Sequence, residues 1–324
     1  MNAANENSMS SGCAAQLVDL GNLLKSRHYQ FITPTPLTHK RVLRNRGDSP
    51  AKDLRDIFGW NLPFHETLLP APLLDGLVRE RLITPVGVDN YRSEVRVSSL
   101  AGDLYVHSRF PTSEEDAVFF GPDTYRFAAL IRQDLSSLPL APDCSILDMG
   151  CGGGPGGIVS ARVSGVRVRE LVLADVNQKA LALSEVNVRL AKLASCRIVQ
   201  SDLFTEVVGN FDLIVSNPPY LLDAERRTYR HGGGDYGESL SQRVLEQSVE
   251  RLAPGGRLIL YTGSAIVQGK DSFSEWAANV AAQAGCRIVR SEIDPDVFGE
   301  ELDQPAYAGV DRIAAIGLVV QRPS

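Results

Sequence analysis

Glycines crowd residues 150–157 of the chain, directly after an apolar run that contains Asp148. Because glycine has no Cβ, such a segment lets the backbone pass close to a ligand and adopt positive φ. Three of these residues also fit GxGxxG, the pyrophosphate-binding pattern of nicotinamide and flavin enzymes: Gly152, Gly154 and Gly157. The charge of Asp148 would repel a pyrophosphate but attract an ammonium, and Pro155 removes a backbone donor. The turn therefore favours a cationic cofactor.

A second segment combines an amide side chain, two prolines and a phenol: Asn217, Pro218, Pro219 and Tyr220. Prolines hold φ near about −65° and supply no N–H, so this segment is stiff and presents carbonyl oxygens. The Asn217 side-chain oxygen and the Pro218 carbonyl could accept both hydrogens of a planar NH₂ group while Tyr220 stacks on it. Such a site would act by positioning and electrostatics and needs no strong base.

The elements that must position these segments follow from the order of apolar and amphipathic runs after residue 143. Ala180, Leu183, Val186, Leu190 and Leu193 form one apolar stripe, which predicts a helix over 177–193. Further helices are predicted at 239–252 and 272–284. Strands are predicted at 144–149, 170–174, 197–200, 211–216, 257–261, 287–293 and 313–320. This alternation predicts a parallel sheet covered on both faces, with any ligand beyond the carboxyl ends of the strands.

Over about residues 118–320 the chain resembles the class I S-adenosylmethionine-dependent methyltransferases. Their first motif reads acidic-x-Gly-x-Gly-x-Gly, as Asp148, Gly150, Gly152 and Gly154 do. The resemblance implies an α/β fold with a Rossmann-like, seven-stranded, mostly parallel sheet. It also implies S-adenosyl-L-methionine as cofactor and S-adenosyl-L-homocysteine as product.

The resemblance further assigns cofactor contacts to residues at the strand ends. Asp175 matches the acid that takes both ribose hydroxyls, since one carboxylate can accept two hydrogen bonds from a vicinal diol. Asp202 matches the acceptor for the adenine amine, and Leu203 would lie along the ring. Asn217 would touch both the cofactor and the acceptor.

The Asn-Pro-Pro-Tyr segment is found in two groups of these enzymes: protein glutamine-N5 methyltransferases that modify release factors, and adenine-N6 methyltransferases of DNA and RNA. The chain looks closest to the glutamine group, because a glycine-rich segment follows at 231–237 and a Pro- and Thr-containing segment precedes at 118–125. Substrate contacts are expected from Pro219, Tyr125, His231, Tyr236 and Glu300. The usual Glu-Pro is absent, however, and Arg226, Arg227 and Arg230 stand in its place.

The favoured function is N-methylation of a planar amide, amino or guanidino nitrogen on a small molecule, an amino acid or a protein side chain. Acidic residues at 292–311 could bind a cationic amine or could simply form a solvated loop. Adenine-N6 methylation of RNA or DNA is the first alternative. A nicotinamide-dependent oxidoreductase and a non-catalytic binding module are the others.

Composition limits the partners. The 324 residues contain 33 Lys and Arg against 39 Asp and Glu, a net charge of −6, so a global positive field for nucleic acid is absent. With no apolar run of about eighteen residues and no signal-like start, the expectation is a cytoplasmic protein without a membrane partner. The five scattered cysteines are expected to be free thiols, and the five histidines show no metal-ligand spacing. The sequence leaves the oligomeric state open.

The Pro-containing stretch at 136–143 predicts a domain boundary. We expect a flexible tail at 1–14, an N-terminal α+β domain at 15–135 and the cofactor-binding domain at 136–324. In the first half, a short helix around Leu17 and helices at 51–58 and 71–81 precede strands at 94–98 and 104–107. This order is similar to a winged helix, but a cap on the substrate side is favoured.

Overall fold

Contacts within the chain divide it into two compact units. The computed structural model describes residues 9–47, 49–223 and 225–324. The N-terminal unit comprises Met1–Tyr125, Gly152–Gly154 and Gln178–Leu193, and the sheet unit comprises the remainder. The boundary at residue 136 stays a prediction. Of the predicted tail, residues 1–8 lie outside the described residues, whereas residues 11–14 are helical.

The N-terminal unit mixes short helices with two small antiparallel sheets. Its strands pair in the order β1-β3-β2 and, separately, β4-β5, so the hairpin predicted at 94–107 is confirmed. The winged-helix interpretation stays a prediction. The elements are α1 (Ser11–Ser26), α2 (Pro36–Arg46), α3 (Leu54–Phe58), β1 (Phe64–His65), α4 (Ala71–Arg79), β2 (Ile83–Pro85), β3 (Asn90–Ser93), β4 (Val95–Leu100), β5 (Asp103–Ser108) and the start of α5 (Pro122–Ser137).

The core of this unit recruits a helix that lies much later in the chain, α7 (Gln178–Ala191). The stripe predicted at 177–193 is buried there: Ala180, Leu183, Val186 and Leu190 pack with leucines of α1. The approach is close, since a Cβ on Gly21 would lie 2.4 Å from Leu190. Asn187 of the same helix donates to the carbonyls of Val106 and Gly153 at 3.1 and 2.8 Å.

The sheet unit contains one seven-stranded sheet, in the order β11-β12-β10-β9-β6-β7-β8. Six of the strands run in one direction, and β12 is antiparallel to both its neighbours, β10 and β11, which confirms the predicted architecture. The strands are β6 (Cys144–Met149), β7 (Val168–Asp175), β8 (Cys196–Gln200), β9 (Phe211–Ser216), β10 (Leu252–Ile266), β11 (Arg287–Asp294) and β12 (Arg312–Gln321).

Helices pack on both faces of this sheet. The helices α8 (Ser239–Glu250) and α9 (Ser272–Gln283) share a buried cluster with Leu147, Val172 and Ile214. On the opposite face lies α6 (Pro155–Val163), where a Cβ on Gly157 would come within 2.5 Å of Leu173. Successive strand residues point to opposite faces, so strands buried on both sides are apolar throughout. In the described part of the chain, no helix has the length and apolar character needed to cross a membrane.

Candidate active site

The glycine turn leaves β6 and enters α6, as predicted. The amides of Gly150 and Cys151 both donate to the carbonyl of Ala174, at 2.8 and 3.0 Å, which ties the turn to the end of β7. Gly150 and Gly152 have φ of 67° and 53°, in the left-handed region that favours glycine. Among the described atoms, none lies within 4 Å of a Cβ built on either residue. The turn therefore presents bare backbone to open space, as a ligand-binding turn requires.

Asp148 lies beneath this turn and is 1 % exposed. Its Oδ2 accepts a hydrogen bond of 2.7 Å from the amide of Gly157, the third residue of α6. Burial and the charge of Asp175 raise the pKa of Asp148, and the hydrogen bond from the Gly157 amide lowers it. The combined result is a pKa of about 8. The visible task of the Asp148 side chain is thus to hold the first turn of α6. Its attraction for an ammonium stays a prediction and would require the ionised form.

The next two acids stand at the ends of neighbouring strands. Asp175 ends β7, and its Oδ1 accepts from the amide of Asn177 at 2.9 Å. Asp202 follows β8, and its exposed carboxylate pairs with Arg243 at 3.3 Å, an exposed contact that contributes little to stability. Leu203 is buried with φ of 50°, which is uncommon for a bulky residue and typical of functional turns.

Asn217 follows β9 directly and is half-buried. Within residues 9–47, 49–223 and 225–324, its side-chain amide makes no hydrogen bond. The residue before it, Ser216, is anchored by a bond of 2.7 Å from Oγ to the carbonyl of Met149 on β6. The position of Asn217 is therefore fixed through the sheet while its amide stays available to a ligand.

Tyr220 is only 7 % exposed, so its ring has less free surface than a stacking platform would suggest. It packs on β10, where a Cβ at Gly263 would lie 2.3 Å from the ring. The rings of Tyr261 and Phe298 approach it edge-on, with centroids at 6.3 and 6.0 Å. Stacking of Tyr220 on a substrate stays a prediction, and packing is the role that its surroundings display.

The glycines at 232–237 serve close backbone packing against the Asn-Pro-Pro-Tyr segment. A Cβ at Gly232 would lie 2.6 Å from the carbonyl of Pro219, and one at Gly237 would lie 2.3 Å from that of Tyr220. Two flanking residues, proposed from sequence as substrate contacts, join this layer. The ring of His231 accepts from the amide of Asp223 at 3.3 Å, and the amide of Tyr236 donates to Glu238 at 2.8 Å.

Sequence reasoning missed a strap formed by residues 297–307, which covers this layer. Its Tyr307 is 1 % exposed, accepts from the amide of Leu222 at 3.0 Å and donates to the carbonyl of Tyr236 at 3.2 Å. Glu301 forms a buried ion pair with Arg230, whose guanidinium also lies 5.6 Å from the ring of Phe298. The sequence signal that could have predicted this strap is the pair of aromatic residues, Phe298 and Tyr307, inside an otherwise mostly polar loop.

Ion pairs weaken the view that residues 292–311 bind a cation. Glu292 is held by Arg290 and Arg312, which lower its pKa, and Asp294 is paired with Arg126 at 2.7 Å. Glu301 is paired as above, and Asp311 accepts from the amide of Gly269. Within the described residues, the acids of this segment whose carboxylates have no ion pair or hydrogen bond are Asp296, Glu300 and Asp303, and all three are exposed. Glu300 as a substrate contact stays a prediction.

Tyr125, another predicted substrate contact, has its described partners within the N-terminal unit. Its hydroxyl accepts from the amide of Thr33 at 3.1 Å, and its ring meets Phe120 edge-on at 5.5 Å. Burial raises the pKa of this phenol. These contacts position the start of α5.

In the sheet unit, the candidate residues line up along one edge. Because β9, β6, β7 and β8 are parallel neighbours, their carboxyl ends carry Asn217, Gly150, Asp175 and Asp202 in that order. Strands are about 4.8 Å apart, so the row spans about 14 Å. The chain reverses its direction of progress between β6 and β9, which is where ligands bind in open α/β sheets. This row fits an elongated cofactor with a diol near its middle and its reacting end near Asn217.

Comparisons with known proteins identify the family and the fold of this sheet unit. Residues 131–271 match the family described as the methyltransferase small domain. This chain contains a class I S-adenosylmethionine-dependent methyltransferase domain. The family match sets aside the nicotinamide interpretation of the glycine turn, and the cofactor of this methyltransferase family is S-adenosyl-L-methionine.

Individual relatives of this methyltransferase domain differ in what they act on. A release factor glutamine methyltransferase of Borreliella burgdorferi is 32 % identical over 126 residues, 36 % of this chain and 43 % of the relative. A ribosomal RNA small subunit methyltransferase C of Pasteurella multocida is 34 % identical over 125 residues, 38 % of this chain and 34 % of the relative. The chain thus spans less than half the length of these two relatives.

A solved structure, Trm5b from Pyrococcus abyssi, superimposes with a TM-score of 0.50 at 16 % identity. It covers 75 % of this chain and 62 % of that protein. This likeness concerns the fold alone.

Proposed function

We propose that this protein transfers a methyl group to a planar, NH₂-bearing nitrogen of an amide, amine or guanidine, on a small molecule, an amino acid or a protein side chain. The observation that carries the proposal is the side chain of Asn217, which is fixed through β9 yet makes no described hydrogen bond. The similarity to a release factor glutamine methyltransferase supports the amide class. The net charge of −6 supports an acceptor other than nucleic acid.

When bound, S-adenosylmethionine supplies an electrophilic methyl group on a sulfonium. Asn217 Oδ1 and the Pro218 carbonyl accept hydrogen bonds from the two N–H groups of the substrate nitrogen. These bonds orient the nitrogen lone pair towards the methyl group. In this proposal Asp175 holds the diol of the cofactor, and the open space at Gly150 and Gly152 supports backbone contact with it. Burial of Pro218 and Tyr220 keeps water from the acceptor side. These effects are positioning and electrostatics, which together can lower a barrier by several kcal/mol.

A second candidate function is methylation of adenine in RNA. The match to a ribosomal RNA methyltransferase supports RNA as the methyl acceptor. The choice of adenine rests on its flat exocyclic NH₂ group, which suits the same pair of hydrogen-bond acceptors. The Asn-Pro-Pro-Tyr segment suits an amide and an adenine substrate equally well, so a methyl-transfer assay must decide between them.

The test supplies tritiated S-adenosylmethionine with glutamine-containing peptides, free amines, guanidines, RNA and DNA. We expect label in an amine or amide acceptor. Asn217→Ala should lower turnover about 10²-fold or more, the scale of a lost electrostatic contact, while leaving cofactor affinity unchanged. Asp175→Ala should instead weaken cofactor binding. Label in nucleic acid alone, or equal loss of both properties in the Asn217 variant, would overturn the proposal.

A further inference from the structure

Helix α2 carries four cations and no acid over its eleven residues. It begins at a Thr35 cap, whose Oγ1 accepts from the amide of Thr38 at 3.1 Å, and the pattern of its side chains gave no helix prediction. Only a few of its residues face the interior, so it lacks the apolar stripe by which amphipathic helices are recognised. Which residues of α2 are exposed therefore becomes known only from the structure.

The buried side of α2 fixes which residues face outward. His39 is fully buried, with its ring stacked on Phe110 at 4.1 Å and hydrogen-bonded to the carbonyl of Trp60 at 3.1 Å. Leu43 packs against the core of the N-terminal unit. Arg46 lies over the Trp60 ring and pairs with Asp56 at 2.6 Å, so it belongs to the packing of this unit.

The other three cations form what we call the basic face: Lys40, Arg41 and Arg44. All three are exposed, and in the described part of the chain none of them makes an ion pair or a side-chain hydrogen bond. At 3.6 residues per turn they lie within an arc of about 100°, and Lys40 and Arg44 are about 6 Å apart along the axis. Leu37, exposed at 50 %, lies within the same arc.

The cations of the basic face repel one another in the free protein. Lys40 and Arg44, four residues apart, destabilise the helix by about 0.2–0.5 kcal/mol, whereas the helix dipole favours Arg44 in the last turn. Elsewhere in the chain, arginines such as Arg290 and Arg312 are paired with carboxylates. Among residues 9–47, 49–223 and 225–324, no carboxylate pairs with the basic face, on a protein whose net charge is −6. An external anion would complement this local positive charge.

We propose that the basic face binds the phosphodiester backbone of a nucleic acid. Cores of protein interfaces are rich in aromatic anchors and, apart from arginine, depleted of charged residues, whereas this face holds three cations and no aromatic residue. Membrane insertion would need the apolar side of the helix, which is buried in the N-terminal unit. Lysine and arginine rows are the usual contacts to phosphates, and they read no sequence.

The basic face also differs from the surface that a winged helix would direct at DNA. In a winged helix, α4 and the β2–β3 turn would approach the duplex. The exposed residues of these two segments include Asp75, Val86, Val88 and Asp89, and Arg79 is their one exposed cation. We therefore assign the phosphate contacts to α2, whose basic face carries three exposed cations and no acid.

The test measures binding of fluorescently labelled single-stranded RNA, duplex RNA and duplex DNA to the full chain between 50 and 200 mM salt. Three phosphate contacts predict a slope of log K against log salt of about −2 for single strands and about −3 for duplexes. The triple variant Lys40→Gln, Arg41→Gln and Arg44→Gln should flatten the slope towards zero and weaken binding at least tenfold at 50 mM salt. Glutamine keeps helix propensity, so the variant should fold, and circular dichroism checks this.

A matched control removes three exposed cations elsewhere: Arg79→Gln, Arg167→Gln and Arg287→Gln. Both triple variants change the net charge from −6 to −9, and the control should bind like the wild type. Equal loss in both variants, no binding by the wild type at 50 mM salt, or equal affinity for poly-glutamate would overturn the proposal. The arms also show which nucleic acid is preferred. The readout needs no methyl donor, so it can fail independently of the proposed methyl transfer.

Discussion

At the scale of single residues, the neighbouring ends of β6 and β9 carry polar side chains in different surroundings. Asn217 keeps an unoccupied amide at the edge of the sheet, whereas Asp148 is buried and bonded to α6. The residue types and their spacing predicted both as ligand contacts. No sequence pattern could show that Asp148 is 1 % exposed, because that burial depends on helix α6 folding back over it.

The burial of Asp148 makes a prediction about stability and pH. Its pKa is raised from 3.8 to about 8, so between these values the folded state keeps a proton that the unfolded state has lost. The free energy of unfolding should therefore fall as pH rises through this window, by at most about 1.4 kcal/mol per pH unit. Asp148→Asn still offers an oxygen to Gly157 and does not titrate. In urea unfolding at pH 5 and pH 8, the free energy of unfolding of the variant relative to the wild type should be higher at pH 8 than at pH 5. The same difference at both pH values would contradict this prediction.

At the scale of elements, periodicity located the parts with regular patterns. The strands at 144–149 and 211–216 were predicted with the observed bounds, and the helix at 239–252 ends two residues early. Strand β10 is longer than predicted at both ends. At its start, the pairing with β9 slips between Leu252 and Arg257, so the strand continues across a proline and two glycines. At its end, pairing with β12 continues to Ile266. Helix α2 was missed because most of its residues are polar and exposed, which leaves too few apolar residues to form a recognisable stripe.

The strap at 297–307 has no regular apolar periodicity. Its Tyr307 nevertheless contacts the chain just after the Asn-Pro-Pro-Tyr segment, at Leu222. Tyr307→Phe removes the hydroxyl that joins Leu222 to Tyr236 and leaves the ring in place. Loss of two hydrogen bonds, one to a backbone amide, should lower stability by about 1–2 kcal/mol. Because Leu222 lies two residues after Tyr220, turnover should fall about tenfold while cofactor affinity is kept.

Turnover, KM and cofactor affinity are measured together for this variant. Tyr91→Phe provides a control, since it removes a phenol that makes no described hydrogen bond. If Tyr307→Phe lowers stability but leaves turnover unchanged, the strap does not position the acceptor segment.

At the scale of the whole molecule, the two contact units interleave along the chain, which a boundary read from one proline-rich stretch could not reveal. Helix α7 follows β7 in sequence, yet Leu183, Val186 and Leu190 complete the core of the N-terminal unit. Four residues of the stripe were predicted correctly, whereas the fifth, Leu193, lies two residues beyond the end of α7. The packing partners of the stripe lie more than 150 residues away in α1, a distance over which periodicity carries no information.

This interleaving predicts how a fragment of residues 136–324 behaves. Without α1, three large side chains of α7 lose their burial, each worth about 1.5–3 kcal/mol. We expect the fragment to aggregate and to bind a hydrophobic dye, as followed by size-exclusion chromatography and fluorescence. Co-expression with residues 1–125 should rescue it, and so should Leu183→Gln with Leu190→Gln. A monomeric fragment that unfolds cooperatively on its own would show that the boundary predicted at residue 136 describes the folding units better than the contacts do.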